Sequence, residues 1–319
     1  AVRRGVSGGR VVCGGTAGVW ERRGGEWAGV WRWAVGQGEA RGGAVVAGCT
    51  AGYPSGRSRG GGGGAGGGSG EVARRASGRR HALALASREP EREVVFAAVG
   101  FETTAPGVAS VVLEARERRL ANFSVYASHK RIVPAMKAVL EGASRIEGFI
   151  TPGHVSVIIG PEAYEDVAQH YAAPCVATGF EPSDVLEGIA MVLECIAAKR
   201  TGSFVQYTRA VKPGGNTRAW DILLRVFDIA DAEWRGLGVI PGSGLVLKEA
   251  FASFDAARRY ALPDMAPVQL PLCRCGDVLK GVIHPPECPF FGNECTPRNP
   301  LGPCMVSSEG SCAARYKYG

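Results

Sequence analysis

Between Cys273 and Cys312 the sequence places six of its ten cysteines in forty residues, CRCGDVLKGVIHPPECPFFGNECTPRNPLGPCMVSSEGSC. Fourteen residues separate Cys273 from Cys288, six separate Cys288 from Cys295, and sixteen separate Cys295 from Cys312; Cys275 and Cys304 are left over. Disulfide frameworks suit small secreted domains, and 319 residues need no such staple. Structural zinc takes thiol pairs spaced C-x(2–4)-C, and Cys273-x-Cys275 is tighter than that. An iron–sulfur cluster needs four thiolates and tolerates irregular gaps, because the chain wraps around an inorganic core. Pro285, Pro286, Pro289, Gly292, Pro297, Pro300, Gly302 and Pro303 keep the segment out of long helices, as a wrapping loop requires. The spacing therefore favours a cluster, with zinc second and disulfides third.

Residues 1–80 obey a different rule. They contain no Leu, Ile, Phe, Met, Lys, Asp, Asn or His, yet hold 26 of the 47 glycines and Trp20, Trp27, Trp31 and Trp33. Thirteen Arg against four Glu give this quarter +9, so the rest of a chain with net charge +7 carries −2. Without branched apolar side chains the segment has little to set against chain entropy, and no packed core is expected there. RGGGGGAGGGSG reads as flexible linker. The residue types left are largely those of GC-rich codons, which suggests a coding region read in a shifted frame; the alternative is a genuine Gly/Arg-rich tail of the RNA-binding kind. No apolar run reaches bilayer length and no secretory h-region is present, so the expectation is a cytoplasmic protein without a membrane partner.

From residue 89 the pattern is that of a globular protein. Short apolar runs ended by Gly or polar residues predict strands at 93–100, 123–128, 147–150 and 174–178. Helices are predicted at 104–120 with Thr104 as N-cap, 133–142, 161–172 and 182–199. The alternation predicts an α/β fold of parallel sheets flanked by helices, followed by a C-terminal loop-rich iron–sulfur domain. The predicted organisation is 1–88 as the Gly/Arg-rich region, 89–200 as the α/β domain and 201–319 as the C-terminal region.

The polar residues cluster after strands. G-F-E-T-T (100–104) follows the first, Ser128-His129-Lys130 the second, T-P-G-H-V-S (151–156) the third and G-F-E-P (179–182) the fourth. Open α/β sheets place their ligand crevice there. Glu102, His129 and His154 are thus the candidate crevice groups, expected to be exposed. Glu102 and Glu181 also have a plainer reading as carboxylates at helix N-termini, and the histidines as satisfied structural residues. Cys175 and Cys195 read as core cysteines. No Walker, G-x-G-x-x-G or G-x-S-x-G motif follows any strand, which removes phosphate-loop and hydrolase readings.

Together, G-F-E-T-T, T-P-G-H-V-S, G-F-E-P, Q-Y-T-R-A-V (206–211), W-R-G-L-G (234–238), P-G-S-G-L (241–245) and M-V-S-S-E-G-S-C-A-A (305–314) resemble the HypD hydrogenase formation proteins over residues 89–319, and the cysteine gaps resemble that family's cluster motif. The resemblance implies a scaffold for the Fe(CN)2CO centre of nickel–iron hydrogenases. Iron would be held transiently between the scaffold and a HypC-type chaperone, with cyanide delivered by a HypE-type partner and the hydrogenase large subunit served indirectly. It implies a 4Fe-4S cluster that supplies or relays electrons, on Cys273, Cys288, Cys295 and Cys312. Cys275 is the rival to Cys273, and Cys304 a bystander. It also implies a maturation factor with redox activity rather than a small-substrate enzyme.

Near its N-terminus the family carries C-G-G-H-T-H, whose Cys holds the iron, and then the dithiol G-P-G-C-P-V-C. Here Cys13-Gly14-Gly15 is followed by Thr16-Ala17-Gly18, and AGCTAGYP around Cys49 keeps one cysteine of two. The resemblance makes Cys13 the iron ligand and Cys49 the remaining member of the dithiol. Two other functions fit the residues: an iron–sulfur electron-transfer protein with no assembly role, and a zinc-stabilised binding module whose Gly/Arg tail grips RNA.

Overall fold

The computed structural model describes the strand at residues 44–49 and residues 78–260, 272–306 and 310–319. Their elements are β1 (Ala44–Cys49), α1 (Arg79–Arg88), β2 (Glu93–Gly100), α2 (Ala105–Glu117), β3 (Phe123–Lys130), α3 (Ile132–Leu140), β4 (Phe149–Pro152), α4 (Gly153–Ile159), α5 (Glu165–His170), β5 (Cys175–Thr178), α6 (Pro182–Ala197), β6 (Ser203–Val205), α7 (Thr217–Val226), β7 (Phe227–Trp234), β8 (Gly238–Leu247), α8 (Ala256–Arg259), α9 (Cys275–Leu279), α10 (Pro303–Val306) and α11 (Ser311–Tyr318). The described parts of 1–99, 111–127 and 249–266 form one compact unit, and those of 100–110, 128–248 and 267–319 another.

In the first unit β2 lies between β1 and β3. Val94–Ala98 of β2 are all buried, as a continuous apolar run predicts for a covered strand. β1 pairs parallel with β2, Ala44 opposite Glu93 and Cys49 opposite Ala98. No element was expected there: AVVAGC is a short run of small apolar residues bounded by glycine, and its composition hid it. The loop before β2 is tied down by Asn122, whose side-chain nitrogen lies 2.8–3.0 Å from the carbonyls of Ala86, Glu89 and Arg92.

The second unit holds two strand systems. β4, β5 and β6 form a parallel sheet, with Phe149 opposite Cys175 and Cys175 opposite Ser203. Met136, Leu140, Tyr164, Val167, Ala168, Ala173 and Cys175 pack as its core, and Cys195 is also buried. The other system is antiparallel: the end of β3 pairs with β8, and β8 with β7. The all-parallel expectation is therefore corrected to an α/β fold with mixed and parallel pairing. Hairpin β7–β8 went unread because β8 contains Pro241 and three glycines, which demote a strand. A register shift at Asp231 absorbs the proline, and the Asp231 carboxylate accepts from Gly242 N at 2.9 Å.

Where helices were expected, several start or end elsewhere. Residues 161–164 form a 3-10 turn that leads into α5. G-H-V-S-V-I-I, expected as a strand-end loop, forms α4, too short at seven residues to show periodicity. Thr104 stands directly before α2, where its carbonyl accepts from Val108 N at 3.2 Å, and its hydroxyl donates to the Phe101 carbonyl at 3.2 Å. The cysteine-rich segment, expected as loop, carries the short helices α9, α10 and α11. Replacing Asn122 with Ala should lower stability by roughly 1–3 kcal/mol, because it strips partners from buried carbonyls. Thermal unfolding followed by circular dichroism measures the loss.

Candidate functional site

Glu102, after β2, and His129, which lies within β3 rather than after it, were expected to face solvent. Glu102 and His129 are instead each 1% exposed. Glu102 accepts from Ile132 N, at 3.1 Å to one carboxylate oxygen and 3.4 Å to the other. It thus satisfies the first N–H of α3, whose own N-cap Arg131 makes no side-chain cap bond. The helix-terminus reading of Glu102 holds, but for the following helix rather than its own. Burial raises its pKa; hydrogen bonds from its own backbone and from Ile132, and the Arg131 charge, pull the other way. Gly100 makes the turn possible. Its φ of 142° disfavours a side chain, and the Thr104 hydroxyl occupies the space a Cβ would need.

His129 packs edge-on against Phe227, 5.6 Å between centroids. Neither ring nitrogen has a hydrogen-bond partner, and desolvation lowers its pKa to about 4. It is a neutral, buried ring, neither a satisfied structural histidine nor an exposed crevice group.

His154 alone of the three is exposed. It stands in the first turn of α4 with its ring 4.1 Å from that of Phe180, after β5. Phe180 meets Tyr207, after β6, edge-on at 6.4 Å. The Arg209 guanidinium lies 4.4 Å over Tyr207 and pairs with both oxygens of Asp184. That hydrogen bonding, with further help from Gln206 and the Glu181 N–H, holds the Asp184 carboxyl well below the usual range. Glu181 forms a capping box with Asp184 at the start of α6, its plainer reading. Each parallel strand of the small sheet thus contributes an aromatic ring at its C-terminal end. Tyr207 and Arg209 were not singled out from the residues. Their signal was available: Q-Y-T-R directly follows β6, which at three residues was too short to read.

The six C-terminal cysteines come together. Cys273, Cys275, Cys288, Cys295, Cys304 and Cys312 line one small cavity, of about 10 Å³ and partly open to solvent, with Phe291, Gly302 and Met305. Cys304, expected as a bystander, lies 3.5 Å from Cys312, sulfur to sulfur. Leu301 N donates to Cys295 Sγ at 3.4 Å. A Cβ on Gly302 would come within 2.6 Å of Cys273 Sγ, so only glycine admits that sulfur. The Cys273 thiol is pushed up by its hydrogen bond with Cys275 and by burial. For Cys275 the Cys273 bond pulls down, but the Cys304 bond and burial outweigh it, giving about 11. Burial raises Cys312. Cys175, Cys195 and the six C-terminal cysteines are free thiols, and no three described His, Cys, Asp or Glu side chains form a ready mononuclear metal site. Cys13 lies outside the described residues, and Cys49 closes β1.

The HypD profile, described as "Hydrogenase formation hypA family", matches residues 68–319. The chain is 45% identical to hydrogenase maturation factor HypD of Azotobacter vinelandii over 245 residues, 75% of this chain and 65% of that protein. It is 41% identical over 239 residues to hydrogenase maturation factor HypD of Escherichia coli (strain K12), 74% of this chain and 64% of the relative. The chain thus spans just under two thirds of the length of these curated relatives. Cys13 and Cys49 precede the span that the profile matches.

His129 makes the acid side testable. Its folded pKa lies below the ordinary value, so the unfolded chain takes up a proton the folded chain resists. The associated stability is full above about pH 6.5 and falls as pH drops towards 4. Between pH 7 and pH 4.5 the parent should lose roughly 2 kcal/mol more than His129→Gln, read by denaturant unfolding.

Proposed function

This chain belongs to the HypD hydrogenase-formation family, and from that premise we propose that it serves as a maturation factor scaffolding the Fe(CN)2CO centre of nickel–iron hydrogenases. Family membership carries the reading; the two local arrangements in the second unit support it. In this reading the protein works in the cytoplasm with a HypC-type chaperone and a HypE-type cyanide donor, and the large subunit receives its product. Among the described residues no helix is long and apolar enough to cross a membrane.

The thiol cavity fits a resident 4Fe-4S cluster. The thiols surround a space rather than a point, which suits a core that brings its own sulfide better than a single tetrahedral zinc. Cys273, Cys288, Cys295 and Cys312 would hold it, and when bound it would supply electrons to the assembly. Phe291 and Met305 supply the apolar part of the lining, and Leu301 N would orient Cys295 Sγ.

The strand-end rings supply the other half. Phe180 (57% exposed) stands two residues before α6, on which Val185, Leu186, Ile189 and Leu193 are exposed apolar residues. Exposed apolar side chains gathered in this way suit an interaction surface, and a chaperone carrying iron is the partner this reading assigns to them. With Glu102 and His129 buried, His154 is the group that meets the cargo or its carrier. Glu102 acts by holding α3 beside the loop. The rival reading, an electron carrier without assembly role, leaves this surface unused.

Two measurements test the reading. Cys273→Ser, Cys288→Ser, Cys295→Ser and Cys312→Ser should each lose most bound iron and sulfide, and Cys304→Ser should keep it; the reverse pattern reassigns the ligands. In a strain lacking its own HypD, His154→Ala should impair hydrogenase maturation with cluster content unchanged. The chain as it stands lacks C-G-G-H-T-H and the second dithiol cysteine, so it should complement poorly, and a copy with both motifs restored should complement well.

A further inference from the structure

The turn between β7 and β8 reaches the thiol cavity. Trp234 and Gly238 are the last paired residues, and Leu237 N donates to Trp234 O at 3.0 Å to close the turn. Gly236, at its tip, has φ 84°. A Cβ built there would overlap Cys275 Sγ, and a Cβ on the next residue of that helix, Gly276, would come within 2.6 Å of Gly236 O. The turn and the start of α9 therefore interlock through two glycines, with the Cys275 sulfur between them and the rest of the cavity. Gly238, two residues on, has nearly the same conformation, φ 78°, and no atom near its missing side chain. The two glycines share a backbone requirement, and only one of them touches a thiol.

The other end of the turn is held as firmly. Lys130 Nζ donates to Glu233 O at 2.9 Å, the Trp234 indole N–H donates to Ser243 Oγ at 2.8 Å, and Arg131 N donates to Ser243 O at 2.7 Å. The Trp234 ring lies 6.2 Å from Phe101 of the G-F-E-T-T loop. The hairpin cannot shift at its root without disturbing these bonds, so its tip is a fixed wall.

We propose that the β7–β8 turn backs the Cys275 thiol and that Gly236 is a positioning residue that keeps this sulfur in its place among the thiols lining the cavity. A methyl group at Gly236 drives the Cys275 sulfur out of its place against Cys273 and Cys304, with which it is hydrogen-bonded. The consequence for cluster loading rests on the cofactor reading above; the consequence for the thiol does not.

The test uses the full chain, freed of iron under anaerobic conditions and treated with a small aromatic disulfide. Modified cysteines are mapped by mass spectrometry over time. In Gly236→Ala, Cys275 should react at least about tenfold faster than in the parent, since a displaced buried thiol gains access. Gly238→Ala carries the same backbone strain without the overlap and should match the parent. Equal rates in parent and Gly236→Ala, or equal acceleration in both glycine variants, would overturn the proposal. If Gly236→Ala does not fold, the double variant Gly236→Ala/Cys275→Ala decides. Recovery of the parent circular dichroism supports the overlap with sulfur, and continued unfolding refutes it. Reconstitution with ferrous iron and sulfide gives the second readout, in which Gly236→Ala should bind less than half the iron of the parent. A parent that takes up no iron and sulfide would sink the cofactor reading, and the thiol map would still decide this one.

Discussion

The pairing of β3 with β8 is the contact on which the second unit depends. It is short, His129 opposite Leu245 and Lys130 opposite Gly244, but it fixes an antiparallel hairpin against a strand that arrives from a parallel neighbourhood. Once that register is set, Arg131 reaches two hairpin carbonyls, Ser243 O through its N–H and Gly242 O at 2.8 Å through its guanidinium. α3 then starts where Glu102 can meet its first N–H. A slip of one residue would exchange the faces of β8 and expose Leu245 and Leu247, now 2% and 3% exposed. The G-F-E-T-T loop, the start of α3 and the turn against Cys275 are consequences of one register.

The thiol cavity imposes an electrostatic constraint of its own. Six sulfurs around one space cannot ionise together, because each new thiolate would raise the cost of the next. Cys273, Cys275 and Cys312 show the result in their raised pKa values. Such a cavity is stable as neutral thiols and becomes stable as thiolates only when cationic charge enters. Its affinity for metal should therefore fall as pH falls, because each ligand must shed a proton to bind.

How much of this could be read from sequence follows the same physics. β2, β3, β4 and β5 were legible because a covered parallel strand is a short apolar run ended by glycine or a polar residue, and EVVFAAVG has little else it can be. α6 was legible from its apolar face and Pro182. The cysteine segment was legible as one nest from spacing alone, although its short helices were not. β1 was hidden by composition, since a backbone ladder needs no large side chains. The β7–β8 hairpin was hidden because its proline sits in a bulge of β8, where residues 241–243 face Asp231 alone and the strand alternation breaks. The candidate site failed at one identifiable point. A polar residue after a strand reads as exposed, yet Glu102 and His129 are covered by α3 and β7, whose packing no local pattern reports. His154 was right for exposure and wrong for local structure.

The strand-end surface also shows what kind of recognition this unit can perform. Its one cation among the rings, Arg209, is already engaged by Asp184 and Tyr207, so it offers little free charge to a ligand. The rings of His154 and Phe180 and the stripe along α6 offer apolar area instead, flanked by Glu181, Glu187 and Glu194. The formal charge of +7 does not contradict this, because residues 1–80 carry +9 of it. Electrostatic steering of an anionic partner would have to come from that segment. In the proposed reading the surface near His154 would select by shape and by burial of its rings, and its affinity for the partner should change little with salt, since screening weakens charge and leaves apolar contact in place.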